Sequence, residues 1–112
     1  MKRLQVYIRT TRLEEVLNAL EDVGILGASV ESVRGYGRQL GQTATFRGST
    51  YALNLVPKTR LDVVVSDDQL DDAVDAICKA AQSGELGDGK IFISDVLDAV
   101  RIRTGERGDN AL

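Results

Sequence analysis

A short glycine-rich segment, Gly87-Asp88-Gly89-Lys90, combines residue types that suit the binding of an anion. Glycine has no Cβ, so the backbone can adopt positive φ angles there and can approach a ligand closely. Successive backbone N–H groups in such a turn form a concavity that attracts anions, and Lys90 adds an ammonium group at its edge. The longer glycine spacing and the following Ser or Thr of a Walker loop are missing. The segment therefore predicts either a different kind of phosphate-binding turn or a turn with no ligand.

Two arginines near the end of the chain, Arg101 and Arg103, extend this interpretation. The segment Arg101-Ile102-Arg103 is predicted to be a strand, with Val100 and Ile102 on one face and both guanidinium groups on the other. Two residues of strand separate the arginines by roughly 7 Å, which is about the spacing of neighbouring phosphates. A glycine turn, a lysine and two arginines would suit a polyphosphate, although same-side arginines also occur on solvated faces.

Composition narrows the classes of function. The 112 residues are enough for one domain, and 43% of them are apolar, as in an ordinary globular protein. The net charge of −3 argues against a general surface for nucleic acid or anionic membrane. There is no histidine, so the commonest general base and metal ligand is missing and a zinc site is not expected. The single cysteine, Cys78, is predicted to pack in the core.

The chain shows neither an apolar run long enough to span a membrane nor the pattern of a signal peptide. We therefore expect a cytoplasmic protein that meets a membrane only through a protein partner.

A first strand–helix–strand unit occupies residues 4–34. Apolar residues at every second position predict a half-buried strand at its start (Leu4, Val6 and Ile8). Thr11 and Glu14 have the spacing of a capping box, which predicts the start of a helix that ends at Gly24. This helix carries one apolar stripe, formed by Leu13, Val16, Leu17 and Leu20. Residues 28–34 predict a second, less regular strand.

A second unit repeats this order. Alternation at Leu61, Val63 and Val65 predicts the third strand, and Ser66 with Gln69 forms a second capping box. The following helix is predicted to end at Gly84, and its apolar stripe contains Leu70, Val74, Ile77, Cys78 and Ala81. Ile91-Phe92-Ile93 opens the fourth strand.

The order of these elements predicts an α+β fold, the ferredoxin-like βαββαβ sandwich, as a single domain over residues 1–112. Both helices would cover one face of a four-stranded antiparallel sheet. The uncovered face points to self-association or to a ligand. The polar, glycine-containing connection between strands 2 and 3 is too long for a simple turn, so we predict a protruding, mobile functional loop over residues 37–57.

Several motifs together resemble those of the PII nitrogen regulatory signal-transduction proteins, and they cover nearly the whole chain. In chain order they are Gly35-Tyr36-Gly37-Arg38-Gln39, Arg47-Gly48-Ser49-x-Tyr51 (where x is any residue), Pro57-Lys58, Gly87-Asp88-Gly89-Lys90-Ile91-Phe92 and Arg101-Ile102-Arg103-Thr104-Gly105-Glu106. The match departs from the family pattern within the loop, where Leu40 and Ala44 replace a usual lysine and glutamate. It departs again after the first strand, where Arg9-Thr10-Thr11 lacks the usual proline and aromatic residue.

The resemblance implies a homotrimer with nucleotide sites between subunits, which bind ATP or ADP and, together with Mg²⁺ and ATP, 2-oxoglutarate. By position, the phosphates would be held by Gly87, Asp88, Gly89 and Lys90, together with Gly37, Arg38 and, from across the subunit boundary, Arg101 and Arg103. The adenine and ribose pocket would contain Ser29, Asp62 and Val64. Gln39 would serve the nucleotide, Mg²⁺ and 2-oxoglutarate, while Lys58 and Gly87 would bind the oxoacid.

The resemblance also implies docking of the loop on protein targets, for example an ammonium transporter or a metabolic enzyme. Tyr51 matches a tyrosine that is nucleotidylylated in many members, and Ser49 matches a serine that is phosphorylated in others. We thus expect a non-enzymatic sensor that regulates nitrogen metabolism and does not bind nucleic acid. The alternatives are a divergent paralogue that answers to another small anion or serves a carbon-metabolism partner, and an enzyme that uses Asp62 or Asp88 as its base.

Overall fold

The computed structural model describes residues 1–36, 44–46, 49–51 and 55–112, and of residues 44–46 and 49–51 it describes the backbone alone. The strands and helices in chain order are β1 (Lys2–Ile8), α1 (Leu13–Asp22), β2 (Ser29–Tyr36), β3 (Ala44–Phe46), β4 (Ser49–Tyr51), β5 (Leu55–Val65), α2 (Leu70–Ala81) and β6 (Gly89–Asp95). Single turns of 3₁₀-helix precede both α-helices, at Thr10–Arg12 and Asp67–Gln69, and another covers Gly108–Ala111.

Four strands form one antiparallel sheet in the order β2-β5-β1-β6. Together with two helices on one face, this arrangement confirms the predicted ferredoxin-like α+β fold. β5 begins at Leu55, six residues before the predicted alternation, and its first residues pair only with β2. Pro57 is therefore tolerated, because it lies beyond the segment of β5 that pairs with β1. β3 and β4 pair with each other inside the region where the sequence predicted no strand.

The hydrophobic core lies between the sheet and the two helices. Alternate residues of β1 and β5 point into it, as their period-two pattern predicted, and each helix contributes one stripe. Among residues 1–36 and 55–112, twelve apolar side chains are buried there: Leu4, Val6, Ile8, Val16, Leu20, Ile25, Leu61, Val63, Val65, Ala73, Ile77 and Ala81. The core thus determines which residues of the central strands lie on the face of the sheet opposite the helices.

The helix boundaries differ in part from the predictions. The capping box predicted at Thr11 and Glu14 is wrong, because the chain enters α1 through a 3₁₀ turn that begins after Arg9, with no side-chain cap. The second box is confirmed, since the amide oxygen of Gln69 accepts hydrogen bonds from the backbone N–H and the hydroxyl of Ser66 at 3.3 and 3.2 Å. α2 ends at Ala81, before Gly84, because the chain is already extended at residue 82.

Cys78 is exposed, so the prediction that it packs in the core is wrong. The buried stripe of α2 is centred on Ala73, Ile77 and Ala81, which follow one another at four-residue intervals. Cys78 follows Ile77 directly and is rotated by about 100° around the helix axis from it. Its side chain therefore falls at the margin of the stripe.

The predicted strand at Arg101–Arg103 is also wrong. These residues form a turn in which the N–H of Gly105 donates to the carbonyl oxygen of Arg101 at 2.7 Å. The N–H of Arg101 donates in return to the carbonyl oxygen of Glu106 at 2.9 Å. Gly105, with φ of +74°, reverses the chain within this turn, so the two arginines do not share a strand face.

The helix-free face of the sheet carries charged and aromatic side chains in paired positions. Arg3 binds the carboxylate of Asp62, and Arg60 binds that of Glu31 at 2.6 Å. Tyr7 and Phe92 meet edge to face with ring centroids 5.9 Å apart, and Phe92 remains 55% exposed. The face is therefore ordered by local pairs but not covered by any described element of the chain.

Gly89 lies directly against the backbone of β1. It begins β6 opposite Ile8, with φ of +107°, and a Cβ added there would lie 1.6 Å from the carbonyl oxygen of Tyr7. No side chain can be placed at that distance without moving β6 away from β1.

We expect Gly89→Ala to lower the free energy of unfolding by more than about 3 kcal/mol, because it combines backbone strain with a clash against backbone atoms. Gly24→Ala is the matched control, since Gly24 has φ of +83° but nothing within 4 Å of the added Cβ. Its cost should be limited to about 1–2 kcal/mol of strain. Urea unfolding followed by circular dichroism measures both values, and equal losses in the two variants would contradict the assignment.

Candidate functional site: the glycine turn and the cations around it

The turn between α2 and β6 is held in place by the side chain of Asp88. Its carboxylate accepts hydrogen bonds from the backbone N–H of Ser83 at 2.7 Å, from the Ser83 hydroxyl, and from the N–H of Gly84 at 3.0 Å. These bonds, led by those from Ser83, hold the pKa of Asp88 far below its usual range. The N–H groups of Ser83 and Gly84 are thus already occupied and are not left for an external anion.

Two cations contact the backbone carbonyl groups of this turn. The ammonium of Lys58 donates to the carbonyl oxygen of Gly87, and the guanidinium of Arg9 donates to that of Leu86 at 2.5 Å. Arg9 also reaches Asp88, with Nε 3.3 Å from the carboxylate. Burial lowers the pKa of Lys58, as does the neighbouring charge of Arg9, while Asp88 raises it. Positive charge therefore surrounds the turn from β5 and from the end of β1.

Lys90 supplies a third cation near the turn. It lies opposite Tyr7 in the β1–β6 ladder, so it shares the helix-free face with Tyr7 and Phe92. Lys90 is exposed, and no ion pair involves it within the described part of the chain. Lys90 thus follows the turn directly and belongs to the helix-free face of the sheet.

Arg9 is the residue of this site that the sequence analysis missed. A signal for it was available, because the predicted topology places the end of the first strand beside the start of the last one. A cation directly after Ile8 must then lie near the segment that leads into Gly89.

The two predicted arginines do not join this turn within one chain. β6 begins at Gly89 and ends at Asp95, beside Lys2, so its ends are about 20 Å apart. Arg101 follows the far end, where its guanidinium binds Glu106 at 3.2 Å and the carbonyl oxygen of Leu112 at 3.0 Å. Arg103 is exposed in the same turn. One copy of the chain therefore separates the two halves of the predicted polyphosphate site.

The residues predicted for adenine and ribose lie on the helix-free face. Ser29 is directly opposite Asp62 in the β2–β5 ladder, and Val64 is two residues further along β5. Asp62 is engaged by Arg3, whose hydrogen bond lowers the pKa of the carboxyl group. Ser29 is three strands from Gly89, a separation of about 14 Å across the sheet. These residues form a group of their own, apart from the turn.

The loop residues of the predicted site lie outside the described residues or are described only in part. Gly37, Arg38 and Gln39 fall in the first gap, and of Ser49 and Tyr51 only the backbone, in β4, is described. Over residues 1–36 and 55–112, acidic and cysteine side chains form no group of three that could hold a metal ion. None of the helices in these ranges is both long and apolar enough to cross a bilayer.

A cavity of about 370 Å³ adjoins the turn on the helix side of the sheet. Apolar side chains of α2 and β6 form most of its wall, and Asp88, Gly89 and Lys90 bound it; the apolar members include Val74, Ile77, Ala81, Ile91 and Ile93. Such walls do not suit a polyphosphate. The cavity therefore does not extend the predicted polyphosphate site, which consists of the turn and its cations.

Comparison with known proteins extends these observations. The family model described as nitrogen regulatory protein P-II matches residues 1–106. Over 112 residues, all of this chain, the protein is 53% identical to nitrogen regulatory protein P-II 2 of Methanothermobacter thermautotrophicus, of which 97% is covered. It is 46% identical to nitrogen regulatory protein GlnK of Escherichia coli K12 and 45% identical to nitrogen regulatory protein P-II of Pasteurella multocida, both covered in full. With its four-stranded sheet and glycine turn, the chain belongs to the P-II family of nitrogen regulatory signal-transduction proteins.

Proposed function

We propose that this protein senses ATP, ADP and 2-oxoglutarate and regulates nitrogen-metabolism targets through loop 37–57. The observation that carries the proposal is the turn at Gly87–Lys90. Its backbone is held against β1 by a glycine that admits no side chain, and it is surrounded by Arg9, Lys58 and Lys90. Asp88, the carboxylate within the turn, is fully engaged by internal donors, so it does not face a ligand as a free charge.

The phosphates of ATP or ADP would lie on Gly87–Lys90, with Gly37 and Arg38 joining from the loop base. Because Arg101 and Arg103 lie beyond the opposite end of β6, they would reach the phosphates of a site on a neighbouring copy. A homotrimer with one site in each cleft satisfies this requirement by symmetry. Ser29, Asp62 and Val64 would then line the base and ribose from the second wall of the cleft.

The effector 2-oxoglutarate would bind beside the nucleotide through Lys58, Gly87 and Gln39. An ammonium is a good point-charge partner for a small dianion, and Lys58 already reaches the turn by donating to the carbonyl oxygen of Gly87. A carboxylate would compete with that carbonyl group for Lys58. Mg²⁺, held by Gln39 together with ATP, would supply a Lewis-acidic contact for the oxoacid.

Ligands would act on the loop through the strand that leaves it, because a lysine of that strand contacts the turn. β5 carries Lys58 and runs directly out of the loop, while β2 leads into it at Tyr36. A ligand shifts such a loop only by the difference in its affinity for two loop states, typically 1–3 kcal/mol. Protein targets such as an ammonium transporter or a metabolic enzyme would read that state, and Tyr51 or Ser49 would be the sites of modification.

The geometry favours binding over catalysis. Asp88 and Asp62 are the carboxylates that the sequence offered as bases, and both are held as anions by hydrogen bonds that lower their pKa. A carboxylate with a lowered pKa is a poor general base near neutral pH. ATP bound to the purified protein should accordingly stay intact for hours.

We expect micromolar affinity for Mg-ATP, equivalent to about 8 kcal/mol, and an additional heat of 2-oxoglutarate binding only when Mg-ATP is present. Lys58→Gln should lower the affinity for 2-oxoglutarate about 10- to 100-fold, because it removes a charge-assisted hydrogen bond. The affinity for ATP should stay within about threefold of the wild-type value. Lys79→Gln, an exposed lysine of α2, is the matched control and should change neither. Titration calorimetry gives all four values.

Three results would count against parts of this proposal. Absence of ATP binding would overturn the nucleotide site itself. ATP binding with no response to 2-oxoglutarate would overturn the assignment of Lys58 and Gln39. Heat from another oxoacid or from bicarbonate would then identify the protein as a relative with a different small-anion effector.

A mixing experiment tests the two-copy site. Lys90→Gln and the double variant Arg101→Gln/Arg103→Gln should each lose most ATP binding as pure oligomers, since each removes charge from every cleft. Trimers assembled at random from equal amounts of both should regain roughly a quarter of the sites, because some clefts combine an intact turn with intact arginines. Equilibrium dialysis after co-refolding measures the number of sites. No recovery would contradict a site that combines the turn of one copy with the arginines of another.

A further inference from the structure

The guanidinium of Arg9 contacts two residues of the turn, Leu86 and Asp88. Its Nη2 donates to the carbonyl oxygen of Leu86 at 2.5 Å, and its Nε lies 3.3 Å from the carboxylate of Asp88. The two acceptors lie on either side of Gly87 in the sequence. One planar side chain thus contacts the turn on both sides of Gly87.

The contact to Asp88 extends the reach of Arg9 further back along the chain. The same carboxylate accepts hydrogen bonds from the backbone N–H groups of Ser83 and Gly84 at 2.7 and 3.0 Å. Arg9 is therefore connected through one carboxylate to the start of the turn as well as to its centre. Loss of the guanidinium would leave the carbonyl group of Leu86 without this donor and Asp88 with one donor fewer.

Arg9 itself starts from a rigid part of the sheet. The preceding residue, Ile8, is 1% exposed and pairs with both Gly89 and Thr59. The following residue, Thr10, shares a hydrogen bond of 3.0 Å with the hydroxyl of Thr59, which is only 3% exposed. The backbone around Arg9 is fixed on both sides, so its side chain can hold a less regular segment in position.

We infer that Arg9 is a positioning residue for the phosphate turn, which holds Leu86–Asp88 in the shape that binds an anion. The inference rests on the proposed nucleotide site. The charge of Arg9 is directed to an internal carboxylate and a carbonyl group, so it acts on a ligand through the turn. A lysine at this position would satisfy the two acceptors less well, because Arg9 reaches them from two separate nitrogens, Nε and Nη2, whereas an ammonium has only one.

Arg9→Gln, Arg9→Lys and Arg12→Gln test this role. Arg12 is a matched control, since its side chain is 34% exposed against 35% for Arg9 and it also forms an ion pair, with Glu15, but not with the turn. Hydrogen exchange by NMR should show the Ser83 and Gly84 amides exchanging about 10-fold faster in Arg9→Gln, with the β1–β5 amides unchanged. Arg9→Gln should bind ATP about 5- to 10-fold more weakly than the wild type. Arg9→Lys should restore at most half of this loss on a logarithmic scale. Arg12→Gln should have the wild-type affinity for ATP.

The outcomes separate this inference from the nucleotide site. If the wild type binds no ATP, the proposed function fails, while the exchange rates still decide whether Arg9 orders the turn. Unchanged exchange at Ser83 and Gly84 in Arg9→Gln overturns the positioning role, whatever happens to ATP affinity. Faster exchange together with unchanged ATP affinity overturns the link between that order and the ligand. Full recovery in Arg9→Lys would show that charge alone matters.

Discussion

The backbone contact between Gly89 and Tyr7 is the constraint from which the rest of the site follows. The antiparallel pairing of β1 and β6 brings these residues together, and the space between them excludes even a methyl group. Because the start of β6 is fixed there, the preceding turn must lie beside the end of β1 and the neighbouring part of β5. Lys58 and Arg9, which are far from the turn in sequence, become its neighbours for this reason.

Charge is distributed unevenly over this fold. The segments 10–23 and 66–82, which form the helix layer, contain only two cations, Arg12 and Lys79, against nine exposed carboxylates: Glu14, Glu15, Glu21, Asp22, Asp67, Asp68, Asp71, Asp72 and Asp75. Elsewhere most carboxylates are already paired with a cation, as in Arg3–Asp62 and Arg60–Glu31. The negative net charge of the chain therefore belongs mainly to the helices.

The sheet also divides the predicted ligand-binding residues into separate groups. The turn lies at one end of β6, the Arg101–Arg103 segment follows the other end, and Ser29 with Asp62 lies across the sheet. A strand is stiff over its whole length, so no small adjustment within one copy joins these groups. The proposed assembly of several copies would bring these groups together, and it would also cover the helix-free face, where Phe92 is left half exposed.

Periodicity and turn chemistry in the sequence were enough to determine the four main strands, the two helices, the core stripes and the position of the glycine turn, because these depend on local patterns of apolar residues. Three predictions from the sequence were wrong: the capping box at Thr11, the burial of Cys78 and the strand at Arg101–Arg103. The structure has instead a 3₁₀ turn before α1, a rotation of α2 that places Cys78 at the margin of its buried stripe, and a reversal of the chain after Arg101. Only the tertiary structure decided that Asp88 fills part of its own turn, that Arg9 and Lys58 bind the carbonyl groups of that turn, and that the arginines lie beyond the far end of β6. Those facts depend on strand pairing between segments that are distant in the sequence. Such contacts produce no periodic pattern of residues, so they cannot be read from the sequence in the same way.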